Sequence, residues 1–317
     1  MLTRLYEHGD LNLLWRITDW CYSSPSSLLV TSQGSVVATI LSERGIRQAC
    51  VLGGLLFCLA IHPVYESVLK GVPSSAAAYI DDFNFSCPPE HAPGVISRLV
   101  PLLRGLDLEL APNKCNVLWP RLSPPPQIVI DFTNEFKYNL HKGILPILGS
   151  AIGFDRDALV SFAMANLAKH SRILDTLTHP SMPAQHAFVI LRLCHVSTAN
   201  FLLRTLPPSI VTPACIRFDK DMWSAALRKL DVDPDSVSHV AQVQLALPLR
   251  YGGLALRSTA DTAPCAYLAA LAALHSTVFP ISTSTDYIIN NGLVDCYRYF
   301  SDKGISLAFL TPSDPRT

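Results

Sequence analysis

Two adjacent acids, Asp81 and Asp82, lie between a small apolar stretch, Ala76-Ala77-Ala78, and the aromatic segment Phe83-Asn84-Phe85. The pattern predicts strand, tight turn, strand, with Tyr79-Ile80-Asp81-Asp82 at the turn. Neighbouring carboxylates at one hairpin tip repel each other. Two arrangements accommodate them. Aspartate tolerates turn geometry and hydrogen-bonds its own backbone, so the pair suits a plain turn. It also suits a hard divalent cation, because Mg²⁺ prefers oxygen ligands and sits between one or two carboxylates and substrate phosphates. The second arrangement points to metal-assisted phosphoryl or nucleotidyl transfer.

Upstream runs a glycine-punctuated block, Gly45-Ile46-Arg47-Gln48-Ala49-Cys50-Val51-Leu52-Gly53-Gly54-Leu55-Leu56-Phe57. Glycines and helix N-terminal amides permit close backbone approach to phosphates or bases. A tight loop before a buried helix, with Arg47 merely solvated, reads the same way. Downstream come Leu106 to Cys115, which carries Asn113-Lys114, and Ile147-Leu148-Gly149-Ser150-Ala151-Ile152-Gly153.

In this order, the four blocks resemble the palm of a reverse transcriptase of the non-LTR retroelement type. The first block is similar to that family's Gln-Gly loop, the second to its catalytic aspartate hairpin, the third to the segment with a lysine near the incoming nucleotide, and the fourth to the primer grip. They span the first half of the chain. The resemblance implies an RNA-directed DNA polymerase with Asp81 and Asp82 as catalytic metal ligands. It implies Arg47, Gln48, Tyr79 and Lys114 at template and nucleotide, and Gly149 at the primer grip. It further implies two Mg²⁺ ions, an RNA template, a DNA primer and deoxynucleoside triphosphates. Lys114 reads equally as a solvated lysine at a strand end.

The resemblance has gaps. Ala49 stands where the family has a glycine, and Gly53-Gly54 replaces a proline-bearing pair that starts the helix. A two-metal polymerase needs a third carboxylate. Neither Asp10, in His8-Gly9-Asp10, nor Asp19, inside a helical pattern, follows an apolar strand as that acid should. The expectation is therefore an N-terminally truncated palm, inactive alone, with a partner chain as one source of the missing part. A non-catalytic nucleic-acid-binding or protein-interaction remnant is the alternative.

The fold class expected is α+β. Residues 1–153 read as a partial palm, a small antiparallel sheet with packed helices. Residues 154–280 read as a helical thumb-like region, and 281–317 as an irregular tail. Within the first part, helical spacing covers residues 1–22. A hairpin is expected around Ser32-Gln33-Gly34, a helix interrupted at His62-Pro63, and strands at 128–130 and 144–148. Val95, Ile96, Leu99, Val100, Leu102, Leu103 and Leu106 form an apolar face. The second part shows long apolar runs from 159, 184, 216 and 261.

Composition limits the partners. Formal net charge is zero, so the bulk basic excess of an autonomous nucleic-acid binder is missing, although a local groove is compatible with it. Arg192, Arg204, Arg250 and Arg257 suit either such a groove or an ordinary surface. Nine cysteines, with no Cys-x-x-Cys pair, fit a reducing intracellular setting rather than a disulfide framework. The apolar runs read as core helices, with no membrane partner expected.

Overall fold

The computed structural model describes residues 2–47, 50–121, 123–277 and 286–305. The protein is α+β, with short, separate antiparallel hairpins among many helices. It divides into two compact units: Met1–Asn116 with Pro125–Asn139, and Val117–Pro124 with Leu140–Thr317.

The first unit opens with α1 (Leu2–Tyr6) and α2 (Asn12–Tyr22), where one helix was expected. A single 3₁₀ turn at Gly9–Leu11 separates them. Next come the strands β1 (Ser26–Ser32) and β2 (Ser35–Ser42). Their two-residue turn is Gln33-Gly34, both at positive φ (51° and 81°). That is the backbone twist that matches a right-handed strand pair. Both faces of this ribbon are apolar and exposed, with Leu29, Val37, Ile40 and Leu41 all more than half accessible.

Helix α3 (Gly53–Leu69) follows the glycine-punctuated loop and runs unbroken through Pro63. Proline removes one helical hydrogen bond. The buried face of Leu56, Ile61, Tyr65 and Val68 outweighs that loss, since tertiary packing supplies most helical stability. The next hairpin joins β3 (Ser75–Tyr79) to β4 (Asp82–Ser86). Helix α4 (Ala92–Arg104) buries Val95, Ile96, Leu99 and Leu103 and packs on α3. Leu102 and Leu106, expected on the same face, are exposed.

β5 (Asn116–Trp119) leads through the proline-rich loop to α5 (Gln127–Phe136). A strand was expected at 128–130; the structure has a helix instead. The β-branched Ile128-Val129-Ile130 triplet favours a strand locally. Val129, Phe132 and Thr133 nevertheless recur at helical spacing and are buried. The helix ends on Lys137 in the left-handed region, with Tyr138 N–H donating back to Thr133 C=O at 2.9 Å, a C-terminal closure that satisfies an otherwise orphaned carbonyl. β6 (Asn139–Lys142) pairs with β5.

In the second unit, β7 (Ile144–Ile147) and β8 (Ser150–Gly153) form a hairpin. The helices then follow: α6 (Arg156–Ala168), α7 (Arg172–Thr178), α8 (Ala184–Ile190), α9 (Asn200–Thr205), α10 (Pro208–Lys229), α11 (His239–Ala246) and α12 (Thr259–Thr277). A π turn at Leu191–His195 and a 3₁₀ turn at Val196–Ala199 join α8 to α9. The combined run Ala184–Thr205 is long and apolar enough to cross a membrane by length and composition. Here Leu191, Ala199, Leu202 and Leu203 are buried in the core of the unit.

The core gathers Ala163, Leu167, Leu202, Leu206, Val211 and Phe218 in one cluster, and Leu174, Leu191, Met222, Ala226 and Leu256 in another. Residues 286–302, expected as an irregular tail, instead form α13 (Asp286–Asp302), which packs on α12. Cys296 is fully buried there, its thiol donating to Pro264 C=O at 3.4 Å. That single apolar face outweighs the polar composition that argued for a loop. Of the expected tail, residues 303–305 follow α13 as a turn, and 281–285 and 306–317 lie outside the described residues. All nine cysteines are free thiols.

Candidate metal and nucleotide site

The aspartates lie at the tip of the β3–β4 hairpin. Tyr79 pairs with Asp82, leaving Ile80-Asp81 as a two-residue turn. Both carboxylates are exposed, and no side-chain hydrogen bond or ion pair engages either among the described residues. Ile80 sits at φ 56°. A β-branched side chain is rarely found in that left-handed region and is strained there. Glycine or asparagine would fill the position at lower cost.

The hairpin is anchored from beneath. Phe83 stacks on Tyr65 of α3, with centroids 4.0 Å apart and planes 3° from parallel, and Phe85 stacks on Phe83 at 5.5 Å. Burial, followed by electrostatic repulsion from Asp81, Cys58 and Asp82, pushes the Tyr65 phenol above its usual range. Tyr65 therefore stays a neutral phenol under two acids. Sequence reading passed over it, because at helical spacing it looks like any core aromatic.

The other expected residues are distributed as follows. Arg47 donates through Nη2 to Cys21 C=O and to Ser26 Oγ, and its guanidinium lies over the Tyr22 ring at 5.1 Å. Its charge is thus spent within the fold, on the end of α2 and the start of β1. Gln48 lies outside the described residues. Tyr79 is 63% exposed at the end of β3. Lys114 ends a 3₁₀ turn, Pro112–Lys114, and is exposed. Among the described residues, no hydrogen bond or ion pair joins Arg47 or Lys114 to the aspartates.

Gly149 belongs to the second unit. With Leu148 it forms the β7–β8 turn, both residues at positive φ (47° and 81°). A Cβ on Gly149 would lie 3.5 Å from the Phe201 ring, an ordinary contact. Backbone conformation, rather than space, is what makes glycine suitable here. Of the arginines considered for a groove, Arg192 donates to Phe188 C=O at 3.2 Å and Arg250 lies over Tyr251 at 4.8 Å. Arg204 and Arg257 are exposed.

As a metal site, the tip supplies two hard, unpaired, exposed carboxylates. Among the described residues no cluster of three or more His, Cys, Asp or Glu could hold a metal ion. Two carboxylates make no closed protein cage; a cation held there would have to complete its shell with water or phosphate.

No protein-family model matches the sequence. Over 119 residues the chain is 26% identical to the retrotransposable element SLACS 132 kDa protein of Trypanosoma brucei gambiense. The match takes in 37% of this chain and 10% of that protein. The chain is thus similar in part to a retroelement-encoded protein and corresponds to a small share of its length.

Proposed function

We propose that this chain is part of a retroelement reverse transcriptase, an RNA-directed DNA polymerase, in which the β3–β4 tip holds catalytic Mg²⁺. One observation carries the reading: Asp81 and Asp82 stand side by side, exposed and unpaired, on a hairpin pinned by the Tyr65–Phe83–Phe85 stack. Partial similarity to a retrotransposable element protein and the order of the four sequence blocks support it. Bound metal would neutralise the triphosphate and the attacking hydroxyl oxygen. In this reading Asp81 and Asp82 hold the cation, the exposed Lys114 ammonium contacts phosphate, and Tyr79 flanks the nucleotide. The resemblance assigns Gln48 to the template, and in this reading the Leu148–Gly149 turn contacts the primer. RNA template, DNA primer and deoxynucleoside triphosphates are the partners.

This reading calls for a third carboxylate to bracket both reacting oxygens; among the described residues none joins Asp81 and Asp82 in a cluster that could hold a metal ion.

A second reading is a non-catalytic remnant that binds nucleic acid or protein. Arg47 favours it, since its Nη2 is already bonded within the fold, to Cys21 C=O and Ser26 Oγ, rather than presented to a template.

Terbium luminescence with Mg²⁺ competition tests the metal site. Asp81→Asn and Asp82→Asn should each weaken binding at least tenfold, and equal binding in all three proteins defeats the proposal. Primer extension by the chain alone should be absent. Template-dependent extension that Asp81→Asn abolishes would overturn the need for a third acid.

A further inference from the structure

The second unit contains a cleft of about 320 Å³, formed by the end of β5, the loop after it, the β6–β7 junction and the segment that starts α6. It lies at the open end of the β7–β8 hairpin, roughly 13 Å along the strands from the Leu148–Gly149 turn. Its size falls at the lower end for small-ligand sites, enough for one nucleotide.

The lining combines aromatic surface and positive charge. The Trp119 ring is held by its indole N–H, which donates to Ser123 C=O at 2.9 Å. Phe154 is 53% exposed, and its backbone is fixed by an N–H donated to Gly143 C=O at 2.9 Å. Gly143 has φ 90°, and a Cβ there would meet Asp155 Cβ at 3.0 Å, so the backbone forms this wall of the cleft. The Arg121 guanidinium lies 5.8 Å from the Trp119 centroid, and Lys142 lines the same space.

Among the described residues no carboxylate ion-pairs with Arg121 or Lys142. The one acid in the lining, Asp155, is engaged as the α6 cap, accepting Ala158 N–H at 2.9 Å. Two cations, Arg121 and Lys142, thus outnumber the one acid in a lining that also holds the Trp119 and Phe154 rings. A flat base stacks on an aromatic face, and its phosphate pairs with Arg or Lys, irrespective of sequence. An acidic peptide would satisfy the cations but leave the rings uncovered.

We propose that this cleft binds one nucleotide of a single-stranded nucleic acid, the base on Trp119 and Phe154 and the phosphate between Arg121 and Lys142. The inference rests on the polymerase reading and extends it by naming a strand contact on residues of the second unit.

The test is fluorescence anisotropy of the full chain with a fluorescein-labelled oligothymidylate of about twelve nucleotides, titrated over a range of salt. Trp119→Ala should weaken binding about tenfold, while Trp119→Phe keeps most of it. The Arg121→Ala/Lys142→Ala double variant should flatten the log–log salt dependence by about 0.7, the share of one phosphate contact on a single strand. Unchanged affinity in Trp119→Ala with an unchanged slope in the double variant overturns the cleft. So does absence of wild-type binding, or displacement of the oligonucleotide by polyglutamate at lower concentration than by unlabelled oligothymidylate. Terbium binding at Asp81 and Asp82 is measured separately, so loss of the cleft and loss of the metal site are told apart.

Discussion

Asp219, in the middle of α10, caps the start of α12 from the side: its Oδ1 accepts Thr259 N–H at 2.9 Å and Thr259 Oγ–H at 2.7 Å. Its Oδ2 accepts Ser258 Oγ–H at 2.8 Å and Ala260 N–H at 3.2 Å. The carboxylate is only 7% exposed. A buried acid persists when its lone pairs are filled, and here four donors from one helix terminus fill them. The positive end of α12 favours the charge as well.

Removing that carboxylate uncovers several donors at once. Asp219→Ala should cost about 2–4 kcal/mol, a lost cap plus buried polar groups left unmet. Asp219→Asn should cost less, since it keeps one acceptor oxygen. Urea unfolding of both variants checks the order; equal losses would mean that volume, not acceptance, sets the cost.

His195 should make stability depend on pH. It is 1% exposed in the π turn, stacked on Phe218 at 4.4 Å, with neither ring nitrogen hydrogen-bonded. Burial, with a smaller push from His170, lowers its pKa from 6.5 to about 4. The folded value lies below the unfolded one, so between pH 6.5 and about 4 the unfolded chain binds more protons. Stability is full above that window and falls as pH drops through it, by about 3 kcal/mol at most. His195→Phe keeps the stack and should remove this component. Urea midpoints at pH 7 and pH 4.5 for the two proteins give the comparison, and parallel losses would exclude His195 as the source.

The β7–β8 turn has a correctable strain. Leu148 occupies a left-handed position followed by Gly149, where asparagine is the favoured residue. Leu148→Asn should raise stability by about 1 kcal/mol. Thermal unfolding reads the change, and a lowered midpoint would show that Leu148, 48% exposed, contributes packing instead.

Gly292 of α13 faces Tyr267 of α12 so closely that an added Cβ would lie 2.6 Å from the phenol oxygen. Tyr267 is buried and has little room to retreat. Gly292→Ala should therefore destabilise by about 1–3 kcal/mol. Pairing it with Tyr267→Leu should recover part of that loss; additive losses would place the two residues out of contact.

Local pattern alone determined much of this protein. The tip at Asp81 and Asp82, the turn at Gln33-Gly34 and the α+β class follow from turn residues and from short apolar runs. These are properties of neighbours in the chain, so a linear reading captures them. Leu148, by contrast, read as the end of a strand, lies in the β7–β8 turn. Three features were decided by packing. Ile128-Val129-Ile130 became helical because the burial of Val129, Phe132 and Thr133 outweighs β-branched preference. α3 runs through Pro63 because its buried face repays the lost hydrogen bond. Residues 286–302 became a helix because Cys296 and Gly292 found α12 to rest on.

The candidate sites divide in the same way. The sequence displays two acids but not the Tyr65 stack beneath them. It shows an arginine beside the glycine loop but not that Cys21 and Ser26 hold it. Trp119 and Phe154 stand 35 positions apart along the chain, and only the turn through β6, β7 and β8 brings them to one cleft. Contacts between distant residues carry no periodic signature, so tertiary structure alone could bring them together.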